Sequence, residues 1–174
     1  MHSTAAHLAE REPGDSTRPA LPLLILTEGA TWDEFDLHAR VWNIPATRMK
    51  TKEPHRVPLS KRALTLIKTL QQSQLHDTLI FPSPREKVLS DMTLTALLRR
   101  VKAESDTPDR VATAHGFRSS FRDWASENGY ARDLAERALA YTVANKIEAA
   151  YHRTDLLEQR RPLMEAWADH VYSG

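Results

Sequence analysis

A histidine, two arginines and a later tyrosine are the residues of this chain whose types and spacing suit chemistry. The run His-Gly-Phe-Arg-Ser-Ser-Phe-Arg occupies residues 115–122, and Tyr151 follows in Ala-Ala-Tyr-His-Arg. On a helix, His115, Arg118 and Arg122 are spaced i, i+3 and i+7 and therefore share one face. An imidazole beside a guanidinium can clamp a phosphate, and a tyrosine on a separate segment can supply a nucleophile. The combination predicts phosphodiester chemistry without a metal ion.

A helix must present these groups, and its apolar side predicts how it is held. Phe117, Phe121, Trp124 and Ala125 cover the opposite face and would anchor the helix to a core, and the pair Asn128-Gly129 predicts its C-cap. Because one face is chemical and the other apolar, we expect the helix to be fixed rigidly under the site.

The segments before this helix predict a small sheet followed by helices. Strand-like runs span 31–37, 41–45 and 55–59, and the connection 46–54 reads as a basic hairpin loop. Ser60 is a plausible N-cap for a helix with Leu64, Ile67 and Leu70 inward. Ser90 or Asp91 should cap the next helix, with Leu94, Leu97, Leu98 and Val101 inward.

The segments after it predict three more helices. Short helices are expected over 131–140 and 144–151, and Asp155-x-x-Glu158 resembles a capping box that opens a final amphipathic helix. Pro162 should kink that helix or end its first turns. The predicted fold class is α+β, mainly α-helical, with a small three-stranded antiparallel sheet.

Composition excludes several classes of protein. The 174 residues include no cysteine, so disulfide scaffolds and Cys-based zinc sites are excluded, and the eight histidines show no metal-ligand spacing. We therefore predict no cofactor and no metal.

Residues 1–22 are predicted to be a disordered or poorly ordered tail and 23–174 a single domain. No signal peptide or membrane span is visible, so a cytoplasmic protein without membrane contact is expected.

The net charge of +1 conceals a segregated pattern. From Arg40 to Arg122 there are 16 Lys and Arg against 7 Asp and Glu, whereas the remainder has 8 against 16. A charge run is most often a solvated surface, but a whole central block of one sign is what a polyanion-binding face needs. Duplex DNA is the partner that this pattern favours.

Five motifs in order resemble one family. They are Val-Trp-Asn-Ile-Pro-Ala-Thr-Arg-Met-Lys at 41–50, His-Arg-Val-Pro-Leu-Ser at 55–60, His-Gly-Phe-Arg at 115–118, Ala-Ala-Tyr-His-Arg at 149–153 and Glu-Gln-Arg-Arg-Pro-Leu-Met at 158–164. Together they resemble the catalytic domain of phage-type tyrosine recombinases, and more narrowly the integrases of prophages and genomic islands. The resemblance covers residue 23 to the C-terminus.

The resemblance implies a mechanism. A tyrosine attacks a DNA phosphodiester, forms a 3′-phosphotyrosyl link and frees a 5′-hydroxyl. A second DNA end then attacks this link and releases the tyrosine. Arginines stabilise the extra charge of the phosphorane, a histidine manages the nucleophile's proton and a lysine protonates the leaving oxygen.

Carried over by motif, Tyr151 is the nucleophile, Arg118 the second arginine, His115 the histidine and Lys50 the hairpin lysine. A phosphate-backbone contact is the alternative for Lys50, and Lys52 competes for either role. Further contacts to DNA are predicted for the basic residues Arg48, Lys52, Arg56, Arg99, Arg100 and Arg122.

The sequence departs from the family pattern in three places. The family's first catalytic arginine stands in a segment like Arg-x-x-Glu, but here 24–27 runs through Glu-Gly-Ala straight into Thr-Trp-Asp-Glu at 31–34. Tyr141 stands where the family usually has histidine, although its hydroxyl can still donate one hydrogen bond. The amino-terminal DNA-clamping domain of the family is also expected to be absent.

Two interpretations follow. The first is a DNA recombinase catalytic domain, N-terminally truncated and catalytically impaired. The second is a non-enzymatic DNA-binding or interaction module derived from an integrase. A third interpretation, a type IB topoisomerase-like enzyme, is weaker, because that chemistry needs the same missing first arginine. In the family the C-terminal helix commonly docks on a neighbouring protomer, so its apolar stripe, including Trp167, is expected to pack either within the chain or through self-association.

Overall fold

The computed structural model describes residues 29–90, 92–103, 105, 110–141 and 154–173. Within them the strands are β1 (Phe35–Asp36), β2 (Val41–Ile44) and β3 (His55–Pro58). The α-helices are α1 (Lys61–Ser73), α2 (Met92–Arg100), α3 (Ala114–Glu127), α4 (Arg132–Ala138) and α5 (Leu157–Ser173), and single 3₁₀ turns span Trp32–Glu34 and Ala46–Arg48. The predicted α+β fold is confirmed.

The sheet is antiparallel in the order β1-β2-β3, with Val41 opposite Pro58 and Ile44 opposite His55. The predicted first strand was too long, because the chain forms a 3₁₀ turn before the two-residue β1. The cause lies in its pairing with a different segment. The Trp32 backbone N–H donates to the Thr78 carbonyl at 3.0 Å, and its indole N–H donates to the His76 carbonyl at 3.1 Å.

The first hydrophobic core lies between the sheet and α1. Trp42 and Ile67 are fully buried in it, and Phe35 stacks on Trp42 with ring centroids 5.1 Å apart. Ser60 caps α1 as predicted, because its hydroxyl accepts from the Ala63 N–H at 3.2 Å. This core holds β2 and β3, and therefore the hairpin loop between them.

The second hydrophobic core lies between α3, α4 and α5. Phe121 and Leu163 are almost fully buried there, and Trp167 meets the Phe121 ring edge-on at 5.3 Å. The apolar stripe of α5 thus packs within the chain, which is one of the two predicted alternatives for it. Self-association through this helix stays a prediction.

Helix α5 also contacts the first half of the chain through polar groups. The Lys61 N–H donates to the Glu165 carboxylate at 3.0 Å, and Arg62 pairs with Asp169 at 3.4 Å. The Arg161 guanidinium donates to the Arg40 carbonyl at 3.2 Å. The C-terminal helix therefore joins the two cores.

The remaining helix predictions have mixed outcomes. Helix α3 ends at the predicted Asn128-Gly129 cap, with Gly129 at a φ of 75°. Val101 was wrongly predicted to be buried, since α2 ends at Arg100 and Val101 is 47% exposed. Helix α5 does not end at Pro162 but runs through it.

The predicted helix 144–151 and the predicted tail 1–22 lie outside the described residues. Among the residues that are described, no helix combines the length and apolarity that crossing a membrane requires.

Candidate active site

Helix α3 carries the predicted phosphate clamp. Thr113 begins it, since its side-chain oxygen accepts from the Gly116 N–H at 3.0 Å, and His115 follows exposed in the first turn. Phe121 and Trp124, on the other side, are buried in the second core. The helix is therefore fixed by its apolar face, as predicted, and His115 reaches solvent.

Arg118 is oriented by two contacts beyond the end of α4. Its Nη2 donates to the Leu139 carbonyl, and its guanidinium carbon lies 4.9 Å from the centroid of the Tyr141 ring. Tyr141 is 37% exposed, so the pair borders solvent. The structure thus brings together two residues that the sequence assigned to one site, the second arginine and the tyrosine at the usual histidine position. These two contacts fix the orientation of the guanidinium, and its role toward a phosphate stays a prediction.

The predicted lysine lies on the β2–β3 connection. Lys50 and Lys52 are both exposed there, and Lys52 has a φ of 59°. Two lysines two residues apart in an exposed loop keep both candidates for the hairpin role open.

Arg48 has a structural contact at the base of that loop. Its guanidinium donates to the buried Glu34 carboxylate, which also accepts from the Trp42 indole N–H at 2.8 Å. A contact from Arg48 to DNA stays a prediction, but this ion pair ties the start of the loop to the first core.

The predicted nucleophile, Tyr151, lies outside the described residues. Its flanks are described on both sides. Tyr141 precedes the intervening segment, and Thr154 with Asp155 follows it. Thr154 is hydrogen-bonded to α4, because Arg137 of that helix donates to the Thr154 carbonyl at 2.7 Å. Helix α4 packs against α3, the helix that carries Arg118, in the second core.

Arg56, predicted to contact DNA, binds Asp155. Its Nε and Nη2 donate to the two carboxylate oxygens at 2.7 and 2.8 Å, a bidentate pair. Burial alone would raise the pKa of Asp155, but these hydrogen bonds and the Arg160 charge outweigh burial and lower that pKa. Asp155 also accepts from the Leu157 N–H at 3.3 Å, but the predicted capping box is wrong, because the helix begins at Leu157 and its first backbone bond goes to the Leu156 carbonyl. Its supposed partner in the capping box, Glu158, pairs with Arg161 instead.

Sequence reasoning missed a half-buried histidine near Arg118. Burial and the positive charges of Arg160 and Arg118 lower the pKa of His55 to about 4, against a smaller opposing effect of Asp155. The imidazole is thus neutral near pH 7. Strand alternation was the available signal, because His55 shares a face of β3 with the buried Val57.

The sequence analysis also assigned no role to Arg160. It is fully buried, and its Nη2 lies 3.3 Å from an Asp155 carboxylate oxygen. Burial lowers its pKa to about 10, although Asp155 opposes the change. An arginine inside the apolar stripe of the last helix was the visible sign of this position.

The other predicted DNA contacts are exposed. Arg99 and Arg100 lie in the last turn of α2, and Arg122 lies on α3. Their guanidinium groups are accessible to a polyanion, and their roles stay predictions.

Comparison with known proteins places the chain among relatives of one family. The model of the phage integrase family matches residues 28–156. Prophage integrase IntA of Escherichia coli (strain K12) is 39% identical over 144 residues, covering 82% of this chain and 34% of the relative. The integrase of Enterobacteria phage P4 is 35% identical and covers 95% of this chain and 42% of its own length. The chain thus spans less than half of the length of these two curated relatives.

A solved structure supports the fold. The crystal structure of XerA recombinase aligns with a TM-score of 0.59 over 95% of this chain and 62% of that chain, at 16% identity. The family match includes Lys50, His115 and Arg118, and it extends past Tyr151 to residue 156. The chain therefore belongs to the phage integrase family, as a tyrosine recombinase catalytic domain.

Proposed function

We propose that this chain is the catalytic part of a site-specific DNA recombinase that cleaves and rejoins strands through a 3′-phosphotyrosine. The observation that carries the proposal is the fixed guanidinium of Arg118, which lies on the same helix as His115. Its contacts with Leu139 and Tyr141 hold it in place. It lies within the stretch that matches the phage integrase family.

Each step of the proposed reaction is assigned to one residue of the chain. The Tyr151 oxygen attacks the phosphorus, the bond to the 5′-oxygen breaks, and a phosphotyrosyl bond replaces it, so bond energy is conserved. His115 handles the phenolic proton, and Lys50 gives a proton to the departing 5′-oxygen. Arg118 offers donors to the phosphorane while its charge develops. A second DNA end reverses the steps with its own 5′-hydroxyl.

We further propose that this chemistry is impaired. The stretch between Thr27 and Trp32 reads Glu-Gly-Ala-Thr and holds no guanidinium for the position of the first arginine. Loss of one preorganised donor typically lowers a rate by about 10²–10³, and loss of an arginine at a phosphoryl transition state by about 10³–10⁵. Tyr141 donates only one hydrogen bond in place of the usual histidine.

The second candidate is a DNA-binding module without enzymatic activity. The basic block from Arg40 to Arg122 and the exposed Arg99, Arg100 and Arg122 favour it. Such a module would keep electrostatic contacts to phosphates and would not need the donors that the transition state requires.

A nicked suicide substrate separates the two candidates. Once a strand is cut, the short fragment diffuses away and the enzyme stays covalently attached to DNA. We expect the unmodified chain to form this adduct slowly and Tyr151→Phe to form none. Binding without any adduct over long incubation would refute the catalytic proposal and leave the binding module.

A further inference from the structure

Two consecutive residues that follow the Tyr151 segment are bound by arginines from separate elements. The Thr154 carbonyl accepts from Arg137 of α4 at 2.7 Å. The Asp155 carboxylate accepts two hydrogen bonds from Arg56 of β3 at 2.7 and 2.8 Å. The chain is therefore attached to both halves of the domain at this point, three to four residues after Tyr151.

Arg160 of α5 adds a buried charge to this attachment. It is fully buried and 3.3 Å from Asp155, and none of its three guanidinium nitrogens has a hydrogen-bond partner among the described residues. A buried ion pair is often no more stabilising than apolar residues of the same volume, whereas removal of one partner is strongly destabilising. Stability alone is thus a weak reason for placing an arginine here, and fixing a geometry is a better one.

The elements that hold Asp155 and Thr154 adjoin those that carry the predicted catalytic groups. Strand β3 begins directly after the loop that holds Lys50, and α4 leads into Leu139, whose carbonyl binds Arg118. A displacement at Asp155 would therefore move Thr154 and Asp155, the first described residues after Tyr151, relative to both groups.

We propose that Asp155 with its partners Arg56 and Arg160, together with Arg137 at the Thr154 carbonyl, are positioning residues for the nucleophile. They attach the chain that follows Tyr151 to β3 and α4, and they do not touch the phosphate themselves. The inference rests on the proposed function, because it takes Tyr151 as the nucleophile.

The first test compares substitutions of two carboxylates, Asp155 and Asp169, each of which pairs with an arginine in the first half of the chain. Asp155→Asn keeps the shape but removes the charge that Arg56 and Arg160 share. We expect the adduct rate on the suicide substrate to fall about 10²-fold with an unchanged Kd for DNA, and Asp155→Glu to restore part of the rate. Asp169→Asn removes the Arg62–Asp169 pair of the same helix and should leave the rate unchanged.

The second test needs no catalysis. Trypsin cleaves after Arg153, directly before the attached Thr154, and mass spectrometry identifies the fragment. We expect Asp155→Asn and Arg137→Gln to speed this cleavage about tenfold under conditions where urea unfolding shows both variants folded, and Asp169→Asn to have no effect. Arg56→Gln serves as a second variant if Asp155→Asn does not fold.

The two proposals fail in different ways. If the unmodified chain forms no adduct, the catalytic function is refuted and the cleavage data alone judge the attachment. If Asp155→Asn matches Asp169→Asn in both adduct rate and cleavage after Arg153, the positioning role is refuted whatever the activity of the unmodified chain.

Discussion

The sequence resemblance assigns Tyr141 to the position at which the family usually has histidine, and the Tyr141 ring lies 4.9 Å from the Arg118 guanidinium carbon. Its hydroxyl is one donor for a phosphate, and its ring is a cation–π partner of the arginine. These two roles are separable by substitution, because phenylalanine keeps the ring and loses only the hydroxyl.

We expect Tyr141→Phe to reduce adduct formation further while thermal stability stays within about 0.5 kcal/mol, as for a surface substitution. Tyr141→His should raise adduct formation, and more so when a turn holding the first arginine is inserted before Trp32. Single-turnover assays on the suicide substrate measure both. Equal rates for Tyr141→Phe and the unmodified chain would show that the hydroxyl gives no hydrogen bond to the phosphate.

His55 predicts a pH dependence of stability. Burial and the charges of Arg160 and Arg118 lower its pKa from 6.5 to about 4. The folded chain therefore binds fewer protons than the unfolded chain between these values. The stabilising contribution is complete above the unfolded pKa and is lost as the pH falls toward the folded pKa of about 4. Its upper limit is about 3 kcal/mol.

Urea unfolding between pH 7 and pH 4 checks this prediction. The unmodified chain should lose more free energy of unfolding across the range than His55→Gln, whose side chain does not titrate. Since Asp155 has a lowered pKa, its own contribution is lost only at still lower pH. Parallel pH profiles for the two proteins would contradict the assignment to His55.

At the residue scale, the sequence predicted the parts of the site that lie in local motifs. His115 and Arg118 lie three residues apart on one helix, so periodicity sufficed. Arg56 and Asp155 are 99 residues apart, and no pattern in one sequence signals their bidentate contact. The burial of Arg160 was indicated by its place in the apolar stripe of α5, but its 3.3 Å approach to Asp155 depends on how the helix packs.

At the scale of elements, local signals predicted β2, β3 and two helix caps, whereas β1 and the end of α2 were predicted wrongly. Ser60 acts through its own hydroxyl and Gly129 through its own backbone φ of 75°, so both caps were predicted correctly. The stretch from Thr31 was predicted as a strand, but its hydrogen bonds go to Thr78 and His76, distant segments that local propensity cannot identify.

Helix α5 gives a prediction of its own. Trp167 is 6% exposed and contacts Phe121 and Trp124 in the second core. We expect Trp167→Ala to lower the free energy of unfolding by about 3–5 kcal/mol, as for large aromatic truncations. Trp167→Phe should cost less because it keeps an aromatic ring in that cluster.

Denaturant unfolding with sedimentation measurements separates core from interface. Asp169→Asn, on the same helix but exposed, is the control and should change stability little. If Trp167→Ala left stability unchanged and altered self-association, the stripe would belong to an interface between protomers.

At the scale of the whole molecule, charge segregation is the main feature that sequence made visible. The net charge of +1 hides a balance of +9 between Arg40 and Arg122 and −8 elsewhere. Within the basic block, Arg48 is paired with Glu34 and Arg56 with Asp155. Some of the predicted electrostatic attraction is therefore offset by internal ion pairs, which only the structure could reveal.

We expect weak, largely sequence-independent binding to duplex DNA that falls steeply as salt rises, because each phosphate contact releases counterions.

Arg100 lies exposed at the end of α2 inside the basic block. If it contacts a phosphate, Arg100→Gln should lower the slope of log K against log salt by about 0.9. Arg132→Gln removes the same charge from outside the block, where Arg132 pairs with Glu136, and should leave the slope unchanged. Fluorescence anisotropy over a salt series measures both slopes. Salt-insensitive binding, or equal slopes for the two variants, would show that the basic block is a solvated surface and not the DNA-binding face.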